Sequence, residues 1–197
     1  MNKPKDKKDP KDEFYVLAVL LAEVVKRILK KKAGLEFSKK PLFALKPIVE
    51  FRKKMRISGL EKFNAKTYIA SINFYLSDEA LEKHQAIGAL IIYIPEDHVS
   101  KFVQQMRYPS IDEDDEEALE DACGTLCNLI GGNFKSGLTQ LGYMELVMSH
   151  FSTFVNEAVN GIEYDPKQKE IYEISFEIER EKLLVADLTM GHIPKWK

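Results

Sequence analysis

The 197-residue sequence has few cysteines, no dominant charge and no long apolar run. Its two cysteines, Cys123 and Cys127, suggest no disulfide framework, so we expect a reducing, cytoplasmic environment. Lysine and arginine total 29 and aspartate and glutamate 31, a balance that favours neither nucleic acid nor an anionic membrane as a partner. No stretch approaches the roughly 20 apolar residues of a membrane span, and charges interrupt the apolar run that follows Glu13, unlike in a secretory signal.

Motifs of common catalytic and metal sites are also missing. The sequence contains no Gly-rich phosphate loop and no nucleophile motif. The cysteine pair has no second Cys or His pair near it, so we predict ordinary core packing and no metal site. Residues 112–115 lack the spacing and glycine of a calcium loop. The four histidines are scattered and suggest no catalytic base: His84, His98, His150 and His192.

Domain organisation follows from composition. Residues 1–12 are rich in lysine and interrupted by Pro4 and Pro10, which predicts a disordered tail. This tail is interpreted as a solubilising segment, with an arm for nucleic acid or a membrane as the alternative. Residues 13–197 are predicted to form a single domain, because no internal repeat is visible and the chain length suits one core.

Apolar periodicity predicts a helix over 13–32, capped by Asp12 and ended by Gly34. Period-two alternation predicts strands over 49–57 and 66–76. The nearly continuous apolar run 86–94 predicts a strand that is covered on both faces, and Pro95 then opens a short helix.

The C-terminal part of the chain gives one ambiguous and one clear pattern. Residues 143–148 suit a strand and 151–160 a short helix that ends at Gly161. Residues 171–179 and 183–190 alternate clearly and predict an antiparallel hairpin. Together these elements predict an α/β (α+β) sandwich of long helices packed on an antiparallel β-sheet.

The most informative segment is the long helix predicted over 112–138. On a helical wheel of about 100° per residue, the core side carries Leu119, Ala122, Leu126, Leu129, Ile130 and Gly137. A second row, centred roughly 140° away, is predicted to face solvent or a partner. We call this row the polar stripe: Asp114, Glu117, Asp121, Thr125, Asn128 and Gly132. The Gly131-Gly132-Asn133 run suits close packing, a kink or a helix end.

The run from Asp121 through Thr125, Asn128 and Gly132-Asn133 to Leu138 resembles the signature helix of the CheC/CheX/FliY chemotaxis phosphatases, CheX-like branch. The single copy of the motif favours the CheX form over the two-site CheC form. The resemblance, over roughly 45–190, implies that residues 13–197 are one CheX-like domain. It also implies a homodimer formed by sheet pairing, for which strand 183–190 is the expected exposed edge.

The resemblance implies an enzyme that removes phosphate from the aspartate of a CheY-type receiver domain. Asn128 would orient the attacking water, and the receiver would supply its own Mg²⁺ and lysine, so no cofactor of this chain is expected. The family's glutamate, which pairs with the receiver's lysine, is here Thr125. Partner binding is expected along Asp121, Thr125, Asn128 and Gly132.

Three interpretations of Thr125 stay open. Asp121, one turn earlier on the polar stripe, would take over the acid's role; or Asn128 alone would support reduced hydrolysis. In the third, the protein binds a receiver or a flagellar-switch component without catalysis. A structural domain without a receiver partner is a weaker alternative. The segment Ser149–Gly161 also lacks the proline that is usual after this signature helix.

Overall fold

A computed structural model of the chain describes residues 13–37, 39–105 and 115–196. The predicted tail 1–12 and the predicted cap Asp12 therefore lie outside the described residues, as does Asp114 of the polar stripe. Within the described ranges, no helix is long and apolar enough to cross a membrane.

The described residues form four helices and ten strands. The helices are α1 (Glu13–Ala33), α2 (Asp78–Glu82), α3 (Glu96–Gln105) and α4 (Glu116–Gln140). The strands of the first half are β1 (Leu42–Pro47), β2 (Glu50–Phe51), β3 (Lys54–Ser58), β4 (Thr67–Tyr75) and β5 (Gly88–Pro95). Those of the second half are β6 (Val147–Met148), β7 (Ser152–Val155), β8 (Ala158–Ile162), β9 (Glu170–Ile178) and β10 (Glu181–Met190).

Helix α1 confirms the helix predicted from the apolar periodicity of residues 13–32. Its buried side includes Leu17, Leu21, Val25 and Ile28, which recur at helical spacing. Gly34 adopts a left-handed φ of 65° and donates its N–H to the Lys30 carbonyl oxygen at 3.1 Å, which ends the helix.

Seven of the described strands form one antiparallel sheet in the order β1-β9-β10-β5-β4-β6, with β7 also paired to β4. The β9–β10 hairpin is confirmed, and its two-residue turn places Glu179 and Arg180 at positive φ. Strand β10 pairs with β9 on one side and with β5 on the other. The expectation that 183–190 is an exposed edge is therefore wrong, because the return of β5 beside β10 occupies that edge.

The larger part of the core lies between the helices and one face of this sheet. Helices α1, α3 and α4 contribute to it together with the inward side chains of the central strands. The buried side chains from the strands include Tyr68, Ala70, Ile72, Phe74, Leu90, Ile92, Phe176 and Leu184. This arrangement confirms the predicted sandwich of helices on an antiparallel sheet.

The opposite face of the sheet is covered by a three-stranded sheet in the order β2-β3-β8. Met55, Ile57 and Ile162 of this cover pack on Ile91 and Tyr93 of the large sheet. Strands predicted to be buried on one side only, such as β9 and β10, are thus buried on both.

Charged side chains on this second face are buried in a network. Lys62 Nζ lies 2.8 Å from Asp187 Oδ2 and 2.5 Å from Glu173 Oε2, and Lys46 also reaches Glu173 at 2.7 Å. The Tyr93 hydroxyl donates to Asp187 at 2.8 Å. Burial alone would lower the pKa of Lys62, but the two carboxylates outweigh burial and raise this pKa. The network therefore compensates the burial of Lys62, whereas at Asp187 burial outweighs the contacts with Lys62 and Tyr93 and raises the pKa of that carboxyl group.

Two predicted elements are wrong. The segment 49–57 is a hairpin of β2 and β3, because Arg52 and Lys53 both adopt positive φ and turn the chain between them. The segment 151–160 forms β7, a turn and part of β8 instead of a helix. The open edge of β4 accounts for this change, since β7 pairs with it over Tyr68–Ser71.

Candidate functional site

Helix α4 carries the polar stripe and begins at a well-defined cap. The Asp115 side chain accepts a hydrogen bond from the Ala118 N–H at 3.1 Å. Lys66 Nζ lies 2.5 Å from Glu116 Oε2 and 2.9 Å from Glu96 Oε1, and these contacts raise the pKa of Lys66. The first turn of α4 is thereby tied to the start of β4 and to α3.

The helix continues without interruption through Gly131, Gly132 and Asn133. Of the three interpretations of this run, close packing is the one observed. A β-carbon on Gly131 would lie 3.0 Å from both Ile72 Cδ1 and Met148 Sδ, whereas one on Gly132 would meet no described atom within 4 Å. The missing side chain of Gly131 thus allows α4 to pack closely on the sheet. The missing side chain of Gly132 leaves open space on the outer surface of the helix.

The polar stripe lies on the outer surface of α4. Asp121 and Asn128 are exposed, and Thr125 and Gly132 are partly exposed. Asp121 and Asn128 are seven residues apart, which is about 10 Å along the helix axis. Among the described residues, neither Glu117 nor Asp121 forms an ion pair, so both are available to a partner. This row offers two carboxylates, a hydroxyl and one amide at helical spacing.

A β-bulge borders the polar stripe on the side of the sheet edge. Phe74 pairs with Met148, and Ser71 pairs with Ser152. The three residues between β6 and β7 therefore lie opposite two residues of β4, which defines the bulge segment Ser149–Phe151. Sequence reasoning missed this feature because the apolar spacing of 151–160 mimicked a helix. The available signal was weak: short apolar runs are ambiguous between helix and strand.

The bulge is held against α4 at a second glycine. A β-carbon on Gly124 would lie 3.0 Å from Phe151 Cγ and closer still to Cδ2 and Cε2. Gly124 and Gly131 are seven residues apart on the same side of α4, and Asn128 lies between them. The segment from Met148 to Phe151 therefore follows the helix on both sides of the level of Asn128.

A groove between α1 and α4 borders the polar stripe on the other side. It is about 720 Å³ in volume, and Arg27 and Lys31 line its α1 wall. Asn133 of the signature run faces this groove, where it accepts from an Arg27 nitrogen at 3.4 Å and donates to the Leu129 carbonyl oxygen at 2.9 Å. Asn133 is therefore engaged within the chain and is not part of the polar stripe.

The two cysteines pack in the core, as predicted. Cys123 and Cys127 are both buried, and the Cys127 thiol donates to the Ala70 carbonyl oxygen at 3.6 Å. Burial raises the pKa of both thiols, which keeps them protonated. Neither thiol has the exposure or the charge state of a nucleophile.

The histidines occupy four different environments. His98 is buried and lies 3.2 Å from Glu181, and burial lowers its pKa. His84 and His192 are exposed and lie near Glu163 and Glu13, respectively. His150, in the bulge segment, is exposed at the flank of the polar stripe. Within the described ranges, no group of three or more His, Cys, Asp or Glu residues is arranged to hold a metal ion.

Known proteins share this architecture. Residues 83–177 match the family model of the chemotaxis phosphatase CheX. In sequence, no curated protein matches the chain. A CheC-like superfamily protein from Shewanella sp. PV-4 has a similar structure, with a TM-score of 0.57 at 16% identity over 87% of this chain and 95% of that chain.

Two further structures extend the comparison. The chemotaxis protein CheX from Desulfovibrio desulfuricans gives a TM-score of 0.56 at 15% identity, over 89% of this chain and 99% of that chain. Thermotoga maritima FliY gives 0.52 at 12% identity, over 93% of this chain and 91% of that chain. At these identities the similarity is one of fold. Together with the family match over residues 83–177, which include the described polar stripe, it confirms the resemblance to the CheC/CheX/FliY chemotaxis family, CheX-like branch.

Proposed function

We propose that this chain acts on the phosphorylated receiver domain of a CheY-type response regulator, as a CheX-type phosphatase that uses Asn128. The observation that carries the proposal is the exposure of Asn128 on a rigid helix, beside the opening at Gly132. The CheX family match supports it, because that match includes this helix.

The chemistry required of Asn128 is modest. An acyl phosphate in a receiver is already activated by the receiver's own Mg²⁺ and lysine, so the partner has only to position a water in line with the phosphorus. A side-chain amide both accepts and donates hydrogen bonds, and it can orient one water for attack. Asn128 would supply this orientation from a helix whose position the core fixes.

Thr125 replaces the acid that would pair with the receiver's lysine. A threonine hydroxyl carries no charge, so docking loses an ion pair and its contribution to specificity. Asp121 is on the same stripe but about 6 Å earlier along the axis, and its side chain is one methylene shorter than that of glutamate. We therefore expect hydrolysis that depends on Asn128 and proceeds at a reduced rate.

The test measures loss of phosphate from a cognate phosphorylated receiver, with and without the protein. Asn128→Ala is expected to lower the acceleration by about 10²-fold, because the water is no longer held in line. Asn133→Ala is the matched control, since this second asparagine of α4 faces α1 instead. Thr125→Glu is expected to increase the rate, and Thr125→Ala is not.

The second candidate function is receiver binding, or binding of a flagellar-switch component, without catalysis. The neutral residue at 125 favours it. Under this alternative the native protein binds the phosphorylated receiver more tightly than the unphosphorylated one but does not accelerate phosphate loss. If Thr125→Glu then gains activity, the site is intact and lacks only the acid. If none of these proteins binds or hydrolyses, the receiver proposal fails for that partner.

We also infer that a homodimer formed by sheet pairing would use β1. Within the described residues, β1 stands at one end of the sheet order and pairs only with β9. Its opposite edge can therefore accept another strand. Sedimentation of the native protein beside Leu45→Pro tests this. The Ile48 N–H donates to the Lys169 carbonyl oxygen at 2.9 Å, and bonded and outward positions alternate along β1, so the Leu45 N–H faces the open edge. A proline at residue 45 therefore removes an outward donor and is expected to weaken a dimer formed at this edge.

A further inference from the structure

We propose that the bulge segment Ser149–Phe151 forms the second half of the receiver-docking surface, with His150 as its contact residue. The inference rests on the proposed function, because it assigns a further contact to the same partner. It is carried by the position of the bulge relative to Asn128.

The bulge segment passes α4 at the height of Asn128. Gly124 and Gly131 are about 10 Å apart along α4, and Asn128 lies about 6 Å beyond Gly124. Phe151 contacts the helix at Gly124 and Met148 contacts it at Gly131. Because the chain runs directly from Met148 to Phe151, Ser149 and His150 pass the helix at about the height of Asn128.

Hydrogen bonds fix the backbone of the bulge segment to β4. The Ser149 N–H donates to the Asn73 carbonyl oxygen at 3.0 Å, and the Ser149 hydroxyl accepts from the Asn73 N–H at 3.0 Å. The same hydroxyl donates to the His150 carbonyl oxygen at 2.7 Å. The backbone of His150 is thus fixed to β4, while its side chain remains exposed. Because the backbone is already fixed, binding of a partner has to order only the side chain of His150.

A bound receiver needs more contact area than the polar stripe provides. A stable protein–protein interface buries about 800 Å² on each partner, more than the exposed residues of one helical stripe provide. A receiver that reaches Asn128 must therefore cover one or both flanks of α4. On the α1 flank, the groove of about 720 Å³ separates the helices. On the bulge flank, the glycine contacts bring the chain directly against α4, so the surface is continuous.

His150 adds an exposed imidazole to this surface. The His150 side chain has no hydrogen-bonding partner among the described residues, so both ring nitrogens are available. An imidazole offers an N–H donor and an aromatic face at low entropic cost, which suits the rim of a contact. With Thr125 uncharged, a contact at His150 would supply part of the docking specificity that the polar stripe lacks.

The experiment measures binding of the cognate receiver, held in its activated form by beryllofluoride and Mg²⁺, and separately the steady-state hydrolysis of the phosphorylated receiver. His150→Ala is expected to weaken binding about tenfold and to raise KM with little change in kcat. His192→Ala is the matched control. His192 is also an exposed histidine, but it lies beside Glu13 at the start of α1 and not in the bulge segment. Circular dichroism of each variant checks the fold.

The outcomes separate the two proposals. Tight binding by the native protein, with His150→Ala and His192→Ala both unchanged, overturns the role of the bulge and leaves the role of Asn128 intact. A fall in kcat without a rise in KM would also overturn it, because His150 would then act in the chemical step. Absence of any binding by the native protein removes both proposals together.

Discussion

The ring of Phe151 occupies the space in which a side chain on Gly124 would begin. A β-carbon there would lie 3.0 Å from Phe151 Cγ and closer to two further ring atoms. No such restriction applies at Gly132 on the same helix, where a β-carbon would meet no described atom within 4 Å. Gly124 is therefore required for close packing and Gly132 is not, so substitution by alanine should affect folding stability differently at the two positions.

The first prediction compares Gly132→Ala with Gly124→Ala. Alanine is favoured over glycine in a helix interior by about 1 kcal/mol, so Gly132→Ala should raise the free energy of unfolding by about that amount. Gly124→Ala should lower it by about 1 kcal/mol, because displacing Phe151 costs more than the helix gains. Urea titration of both variants checks this. Equal stabilisation would show that the Phe151 ring moves aside freely.

The second prediction concerns the buried charge network. Lys62→Met should lower the free energy of unfolding at pH 7 by about 3–5 kcal/mol, because Asp187 and Glu173 remain buried without their shared cation. Lys46→Met removes a half-exposed partner of the same Glu173 and should cost a small part of that. Chemical denaturation measures both variants.

The pH dependence of the Lys62→Met variant provides a further check. Burial already raises the pKa of Asp187 in the native protein, and loss of the Lys62 cation raises it further above the value in the unfolded chain. The folded state then binds more protons than the unfolded state, so the deficit in stability relative to the native protein should shrink as the pH falls from 7 towards 5. A deficit that grows on acidification would contradict this account of the network.

The third prediction concerns His98. Burial lowers its pKa in the folded chain, while the unfolded value is about 6.5. Between these two values the unfolded chain binds the extra proton, so the stability due to neutral His98 is present above about pH 6.5 and is lost as the pH falls towards the folded pKa. His98→Gln should therefore destabilise most above pH 7 and progressively less towards pH 5.5.

Denaturant titrations across this pH range compare the native protein with His98→Gln. The groups that face His98 are Glu181, Asp97 and Lys101, and the two carboxylates favour the charged imidazole whereas the lysine opposes it. A difference that widens on acidification would mean that the carboxylates outweigh burial. The pKa of His98 would then be raised rather than lowered.

The fourth prediction concerns thiol reactivity. Because Cys123 and Cys127 are buried and burial raises the pKa of both thiols, neither should react quickly with a water-soluble disulfide reagent in the native protein. Both should react at once in denaturant. Rapid reaction of one thiol under native conditions would show that α4 separates from β4 without global unfolding.

The elements that could be predicted from the sequence are those with a regular pattern of apolar residues along a single helix or strand. Helix α1, strand β4 and the β9–β10 hairpin were predicted correctly, because their side chains recur or alternate with the period of the element. Strand β5 was predicted correctly because its continuous apolar run is typical of a strand covered on both faces. The hairpin at 52–53 was missed because Arg52 and Lys53, not glycine or asparagine, adopt the left-handed turn. The edge position expected for 183–190 failed because strand order depends on pairing between distant segments.

The candidate site also has one part that could be predicted from the sequence and one part that could not. The polar stripe could be predicted, since the outward face of a long helix follows from its period alone. The bulge segment could not, because it exists only through the pairing of β6 and β7 with β4. Gly124 and Gly131 likewise gave no sign of which segments they contact, since the contact residues, Phe151 and Met148, are distant in sequence.

The separation of the two faces of α4 has a consequence for how such a domain diversifies. The inward-facing residues of α4 between Leu119 and Leu138 pack in the core, and this packing restricts which side chains can replace them. Residue 125 lies outside that packing, and substitutions at such surface positions usually change folding stability by no more than about 0.5 kcal/mol. A lineage can therefore gain or lose a charge at this point without rebuilding the scaffold. Selection for binding of a particular partner can then act on residue 125 with little cost in folding stability.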